Sequence, residues 1–482
     1  MNRLLSRGLV AASVLALAAC SGDNGSVITP PPSTAQLQVV HASADAPEVN
    51  VLVNGQVPEA LAGVPFQAAS PYLELEAGSI DAAVNAILAD GSEVEVLAAP
   101  GLALEADIAY TVIAAGSTSD LLAAADGNPL QLFLLTRPVQ ESIDGVRIQV
   151  LHGSPSAGGV DVYVSAPDAE LGTLTPATFA FGGVLDLETV PADEYRIRIT
   201  PAGVETVVFD SGAVALPNGA DLSIIAVDNV GPGASPVALL AVFGDGTVAE
   251  LRDGGAAAPA GLTAVHNSAD APPVCVVADD AGTAEVERIE LFAGVPFRGF
   301  GYLGEVPPGS YTVGLEVFDE QAGCAGTSAV TFDTPVDFAA GAEATGIVAG
   351  SLGGGSIDLL ALGDDLRPVA TEARVRIVHG SEATPAVDIY VVAAGTDITS
   401  PDVTPDFSGV EFTGSTDFVP LLPGDYDVFV TLAGDTNPAI AVEGATFEGG
   451  DVISAIASDP EGEETAPGLI VIDHVELKNP PL

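Results

Sequence analysis

Apolar and polar residues alternate in short runs along most of the chain, and the runs come in a fixed order that repeats four times. "QLQVVHAS" from Gln36, "VRIQVLHGS" from Val146, "LTAVHNS" from Leu262 and "VRIVHGS" from Val375 open the copies. A second strand follows at "VNVLV", "VDVYV", "VCVVA" and "VDIYV" (Val49, Val160, Val274 and Val387). Then come a Pro- or Gly-led turn and strand ("LEAGSIDAAV", "VPADEYRIRI", "VPPGSYTVGLEV", "LLPGDYDVFV") and a strand of small residues ("AYTVIAAG", "DLSIIAVDN", "EATGIVAGS", "VISAIASDP"). Runs of four to eight β-branched or alternating residues bounded by Gly, Pro and Asp predict strands, and no segment carries a long helical period with caps.

The histidines His41, His152, His266 and His379 follow one another at intervals of 111, 114 and 113 residues. A period that long describes an array of domains, each with its own core, and not a solenoid. About seven strands in such a length predict an all-β protein of four tandem immunoglobulin-like β-sandwich domains, at residues 36–145, 146–259, 260–372 and 373–482. Tyr195, Tyr311 and Tyr426 each follow a Pro-led turn and are candidates for a corner in which the phenol bonds back to the chain, with Ile80 as the exception. Modules 1 and 3 share "SADAP" and "AGVPF", whereas modules 2 and 4 share "HGS" and "VD(V/I)YV". A duplicated two-domain unit explains this, and it predicts two kinds of interdomain contact in alternation.

The first twenty residues differ in kind. Arg3 and Arg7 precede an apolar run from Gly8 to Ala19, too short to span a bilayer of about 30 Å, so residues 1–20 read as an export signal. Leu17, Ala18, Ala19 and Cys20 resemble the bacterial lipobox, which implies cleavage before Cys20 and acylation of its thiol. Ser21, in place of aspartate, points to the outer membrane of a Gram-negative envelope. Residues 21–35, with Pro30, Pro31 and Pro32 in a row, read as a disordered tether.

Charge narrows the partners. Acidic residues number 66 against 13 basic ones, and loss of Arg3 and Arg7 with the signal takes the net charge from −53 to −55. Such a surface repels phosphate backbones, which excludes nucleic acid, and suits a salt-rich marine or halophilic habitat. Aromatic residues are 5% and tryptophan is absent, which leaves few rings for sugar stacking. Tyr163 and Tyr390 are the candidates for a glycan-binding accessory function.

"VHASADAPEVNV" with the following "PYLELEAGS" resembles the bacterial repeat family known as domain of unknown function 4397, found in exported and often lipid-anchored proteins. The resemblance covers the chain after the tether, and it implies no catalytic residues.

Chemistry at the histidines needs converging partners, and each module has one histidine apart from the additional His474. His41, His152, His266 and His379, with Ser43, Ser154, Ser268 and Ser381 two residues on, are therefore read as scaffolding that satisfies loop backbone groups. The functional alternative is a His–carboxylate site with Asp45 or Asp270. Nine residues past each histidine stand Asn50, Asp161, Cys275 and Asp388; Cys275 and Cys324 are candidates for a disulfide, with buried free thiols as the alternative. No catalytic or resident-metal motif is present. Asp364 with Asp365, and Glu461, Glu463 and Glu464, are read as solvated charge, with calcium between domains as the alternative. "SLGGGS" is read as a flexible turn. The whole predicts a non-catalytic lipoprotein, a rod of sandwiches for surface adhesion or for assembly with other envelope proteins.

Overall fold

The computed structural model describes residues 33–123, 127–140, 142–281, 288–462 and 464–479. Cys20 and Glu463 lie outside them.

Every module opens with the strand that ends at or beside its histidine: Thr34–His41, Val146–His152, Ala260–Asn267 and Ala373–His379. Each of these pairs parallel with the small-residue strand, Ile108–Ala115, Asp221–Asp228, Glu343–Ala349 or Val452–Ser458. On its other edge it pairs antiparallel with a short strand (Leu73–Glu76, Val184–Val190, Phe300–Val306, Val419–Leu421). A second sheet, built on the strand beginning at Val49, Val160, Val274 or Val387, closes each sandwich. The chain is thus four tandem β-sandwiches, and the parallel pair at the centre of the first sheet gives each a strand order of its own within the immunoglobulin-like architecture.

Side chains alternate across a strand, so the histidine and the residues two and four before it face the module's own core. Leu37, Val39, Ile148, Val150, Leu262, Ala264, Val375 and Ile377 all lie in intramodular apolar clusters. The intervening residues face away from that core yet are equally buried. One residue before each histidine stand Val40, Leu151, Val265 and Val378, and their parallel-strand partners are Ile113, Ile225, Ile347 and Ile456. Those of modules 1 and 2 share one apolar cluster, and those of modules 3 and 4 share another. The first sheets of a pair therefore pack face to face, and the histidine strand is buried on both sides. Two positions further out, each sheet carries a buried polar pair: Gln38 with Thr111, Gln149 with Ser223, Thr263 with Thr345 and Arg376 with Ser454.

Contacts alternate accordingly. Within pairs they are apolar faces fringed by hydrogen bonds, such as Gln38 Nε2 to Phe243 O at 2.7 Å and Asn267 Nδ2 to Gly380 O at 2.9 Å. Between pairs they are polar and few. Arg367, just before module 4, donates to Ala44 O at 3.0 Å and Ala46 O at 2.7 Å in module 1, and Lys478 of module 4 reaches Val230 O of module 2. The expected rod of separate beads is accordingly corrected: the outward sheet faces are too apolar to stand in water, and the pairs they form lean on one another through these side chains.

Candidate functional site

Each histidine ends a strand at the point where the chain enters the loop containing its serine. In modules 1, 2 and 4 the ring Nε2 bonds the carbonyl six residues on: Pro47 O at 2.9 Å, Gly158 O at 2.7 Å and Pro385 O at 3.1 Å. His266 uses Nδ1 on Val295 O at 3.0 Å instead. All four rings are at most 2% exposed. Burial pushes the pKa of His41 down to about 4 and that of His266 downward, because a charged imidazole has no water there.

The backbone of each histidine is held as well. Its N–H and C=O bond two successive residues of a facing turn, as in His41 N to Ala68 O and Gln67 N to His41 O. The turn residue that donates to the histidine carbonyl is left-handed in every copy: Gln67, Gly182, Arg298 and Thr413 have φ between 60° and 78°. A phenylalanine precedes each of them. Phe66, Phe297 and Phe412 present ring edges to their histidines at centroid distances of 6.1 to 6.4 Å, whereas Phe181 packs on Phe133 of module 1. This partner lies 25, 29, 31 and 33 residues after the histidine. The unequal spacing hid it from the sequence, although "AGVPF" carried the signal in two copies.

The serines anchor a second contact. Asp45 and Asp270, on the histidine loop in modules 1 and 3, accept from the loop after the small-residue strand: Ser117 Oγ, Thr118 N and Ser119 N for Asp45, and Ser351 Oγ, Leu352 N and Gly353 N for Asp270. The glycines of "SLGGGS" are therefore tied down. In modules 2 and 4 the carboxylate comes from the opposite loop, where Asp228 accepts from Ser154 and Ser156, and Asp459 from Ser381 and Ala383 N. The same bridge is made with its acid moved across the gap. Ser43 and Ser268 hydroxyls add bonds to Asp45 and Asp270. These donors hold Asp270 at a pKa of about 2 against the opposing effect of burial, and they lower that of Asp45. Neither aspartate hydrogen-bonds its histidine, so the His–carboxylate alternative is corrected: both acids are engaged on the facing loop.

His474 is buried at the start of its short helix, its Nε2 at 2.8 Å from Ser454 Oγ and its ring against Phe418. Burial first, then Arg376 and Lys478, push its pKa down to about 3. Among the described residues no three His, Cys, Asp or Glu side chains converge as a metal site. Asp364, Asp365 and Glu464 face Arg376, Arg374 and Arg298; Asp364 is enclosed, which corrects its reading as solvated charge, whereas the Asp365 and Glu464 side chains stay 63% and 49% exposed. Glu461 is exposed.

The ninth residue after the histidine ties the second strand to other parts of its sheet and loops. Asp161 accepts from Thr178 and Gly203 N, Asp388 from Gly409 N and Gly434 N, and Asn50 bonds Gly63 N and Glu93. In module 3 a disulfide from Cys275 to Cys324, with Cα atoms 5.9 Å apart, stands at that position. Tyr195, Tyr311 and Tyr426 form the corner, each phenol donating at 2.9 Å to the carbonyl four residues upstream. Tyr163 and Tyr390 are 6% and 4% exposed, so neither can stack on a sugar, and the glycan reading loses its candidate rings.

Basic residues concentrate at module junctions. Of the eleven beyond the export signal, seven bond across one: Arg137, Arg147, Arg298, Arg367, Arg374, Arg376 and Lys478. Arg367 and Arg374, with Arg252, line a cleft of about 1000 Å³ where all four modules meet, together with Phe66 and Glu372 among others. Arg367 stacks 5.4 Å from the Phe66 ring, and Glu372 is pushed to a higher pKa by burial.

Fold and loops together define a tandem β-sandwich repeat protein, its copies locked by one buried histidine each. The chain belongs to the family described as Domain of unknown function (DUF4397), which matches residues 35–131, 146–250 and 260–390. No curated protein matches the chain.

Proposed function

We propose that the protein is a non-catalytic lipoprotein of the cell envelope, anchored in the outer membrane through an acylated Cys20, whose paired sandwiches present loops for surface adhesion or for assembly with another envelope protein. The observation that carries the non-catalytic part is the repeated engagement of each histidine with a carbonyl of its own module, which leaves the imidazoles serving the fold in all four copies. A fold-holding group is needed in every copy, whereas a reacting group is not. The anchor rests on the Leu17–Ala18–Ala19–Cys20 tetrad after an apolar run. Protein contacts are preferred over glycans because the candidate stacking rings are buried.

Metabolic labelling with an alkyne fatty acid should mark the wild-type protein and not the Cys20→Ser variant. Crosslinking on intact cells followed by capture should return a defined envelope protein. Absence of label from the wild type would refute the anchor, and repeated capture of polysaccharide without protein would refute the assembly reading.

A further inference from the structure

Module 2 differs from its siblings inside its sandwich. Between its two sheets lies an apolar cavity of about 170 Å³, against about 20 Å³ in the interior of module 1 and 30 Å³ in that of module 3. Protein interiors are packed to crystal density and rarely keep a void of this size.

The strand register locates one end of the space. In module 3 Gly309 pairs with Phe338, and in module 4 Gly424 pairs with Phe447. Each phenylalanine leans on the corner tyrosine two residues further along, at 5.7 Å for Tyr311 and 5.8 Å for Tyr426. In module 2 the equivalent position, bonded to Asp193 O, is Leu216. Module 2 thus has a smaller side chain than modules 3 and 4 at this end of the sandwich, as module 1 has with Leu104 opposite Gly78, but here Tyr195, Leu216 and the exposed Pro217 border the larger cavity. At its other end the cavity touches His152. That ring uses Nε2 on Gly158 O, and its Nδ1 is buried with no partner in the protein.

We infer that the module 2 cavity is a binding site for a small neutral molecule made mostly of hydrocarbon, with a single hydroxyl that meets His152. An apolar cavity of about 150 Å³ takes benzene, so the ligand is a ring or chain of about six to eight carbons. A charged headgroup is disfavoured, since the lining is almost wholly apolar and the protein outside is strongly acidic.

Phenol and 1-hexanol are suitable probes, titrated into the full-length protein by calorimetry and thermal shift. The wild type should bind both and melt at a higher temperature in their presence. Leu216→Phe supplies the ring found in modules 3 and 4, so it should weaken binding at least tenfold. Should that variant fail to fold, xenon-129 NMR of the wild type reads the same cavity without any substitution, and a bound-xenon signal that phenol displaces is expected. Absence of binding by both probes, equal affinity in a folded Leu216→Phe variant, or no bound xenon would overturn the site.

Discussion

Arg376 Nη1 stands 2.6 Å from Asp364 Oδ1 across the junction of modules 3 and 4, with the two side chains 3% and 0% exposed. Burial holds the Asp364 carboxyl above the usual carboxylate range even though the guanidinium draws it down, so desolvation is the larger effect. In modules 1 and 2, Arg137 and Arg147 converge on Asp221 in a comparable role at the other paired interface.

Removing one partner of such a pair strands a buried charge. Asp364→Ala should therefore destabilise the protein by about 3–5 kcal/mol in urea unfolding, whereas Asp364→Leu combined with Arg376→Met should recover most of the loss. Equal destabilisation by the single and double variants would contradict this account.

The paired interface is otherwise aliphatic. Ile225 is fully buried against residues of modules 1 and 2, so Ile225→Ala should cost about 2–5 kcal/mol and loosen both modules together. Hydrogen exchange should show protection falling in the Thr34–His41 and Val146–His152 strands alike; a loss confined to module 2 would argue against coupling through this face.

In the Cys275–Cys324 bridge, residues 49 apart are tied together. On the loop-entropy estimate, opening a loop of this size costs about 4 kcal/mol, with about 2–5 measured for native bridges. Reduction, or replacement of both cysteines by serine, should lower the melting temperature of module 3. Peptide mapping under non-reducing conditions checks the bond itself, because two alkylatable thiols would exclude it.

His41 is neutral when folded, with a pKa of about 4 against 6.5 when unfolded. Between those values the unfolded chain binds more protons, so the contribution is complete above pH 6.5 and is lost as pH falls toward 4. The loss is on the order of 3 kcal/mol at the acid end. Glu372, raised by burial, acts with the opposite sign, so the comparison is with His41→Gln in high salt, which also screens the acidic surface. Stability of the wild type should fall more steeply from pH 6.5 to 4.5 than that of the variant. Parallel profiles would remove His41 from the account.

Thr413 holds φ at 66°, a conformation that β-branched residues adopt at a cost, where module 2 has Gly182. Thr413→Gly should be neutral or stabilising by up to about 1 kcal/mol, whereas Gly182→Thr should destabilise. Chemical denaturation of both variants distinguishes this from an effect of glycine on the unfolded chain, which would destabilise Thr413→Gly.

Period-two alternation, turn residues and a repeat of about 111 to 114 residues determined that this chain makes four sandwiches, because those signals act between near neighbours and recur in every copy. The break in alternation at Val40, Leu151, Val265 and Val378 also stood in the sequence, as an apolar residue beside each histidine on the face turned from the module's core. What covers that face was decided only in three dimensions, since an aliphatic patch specifies burial and not its partner. The serine loops show the same division. A hydrogen bond needs an oxygen at one point in space, and Asp45 and Asp228 supply it from opposite sides of the gap. No fixed spacing along the chain could have announced that exchange, nor which of the scarce arginines would meet which of the abundant acids.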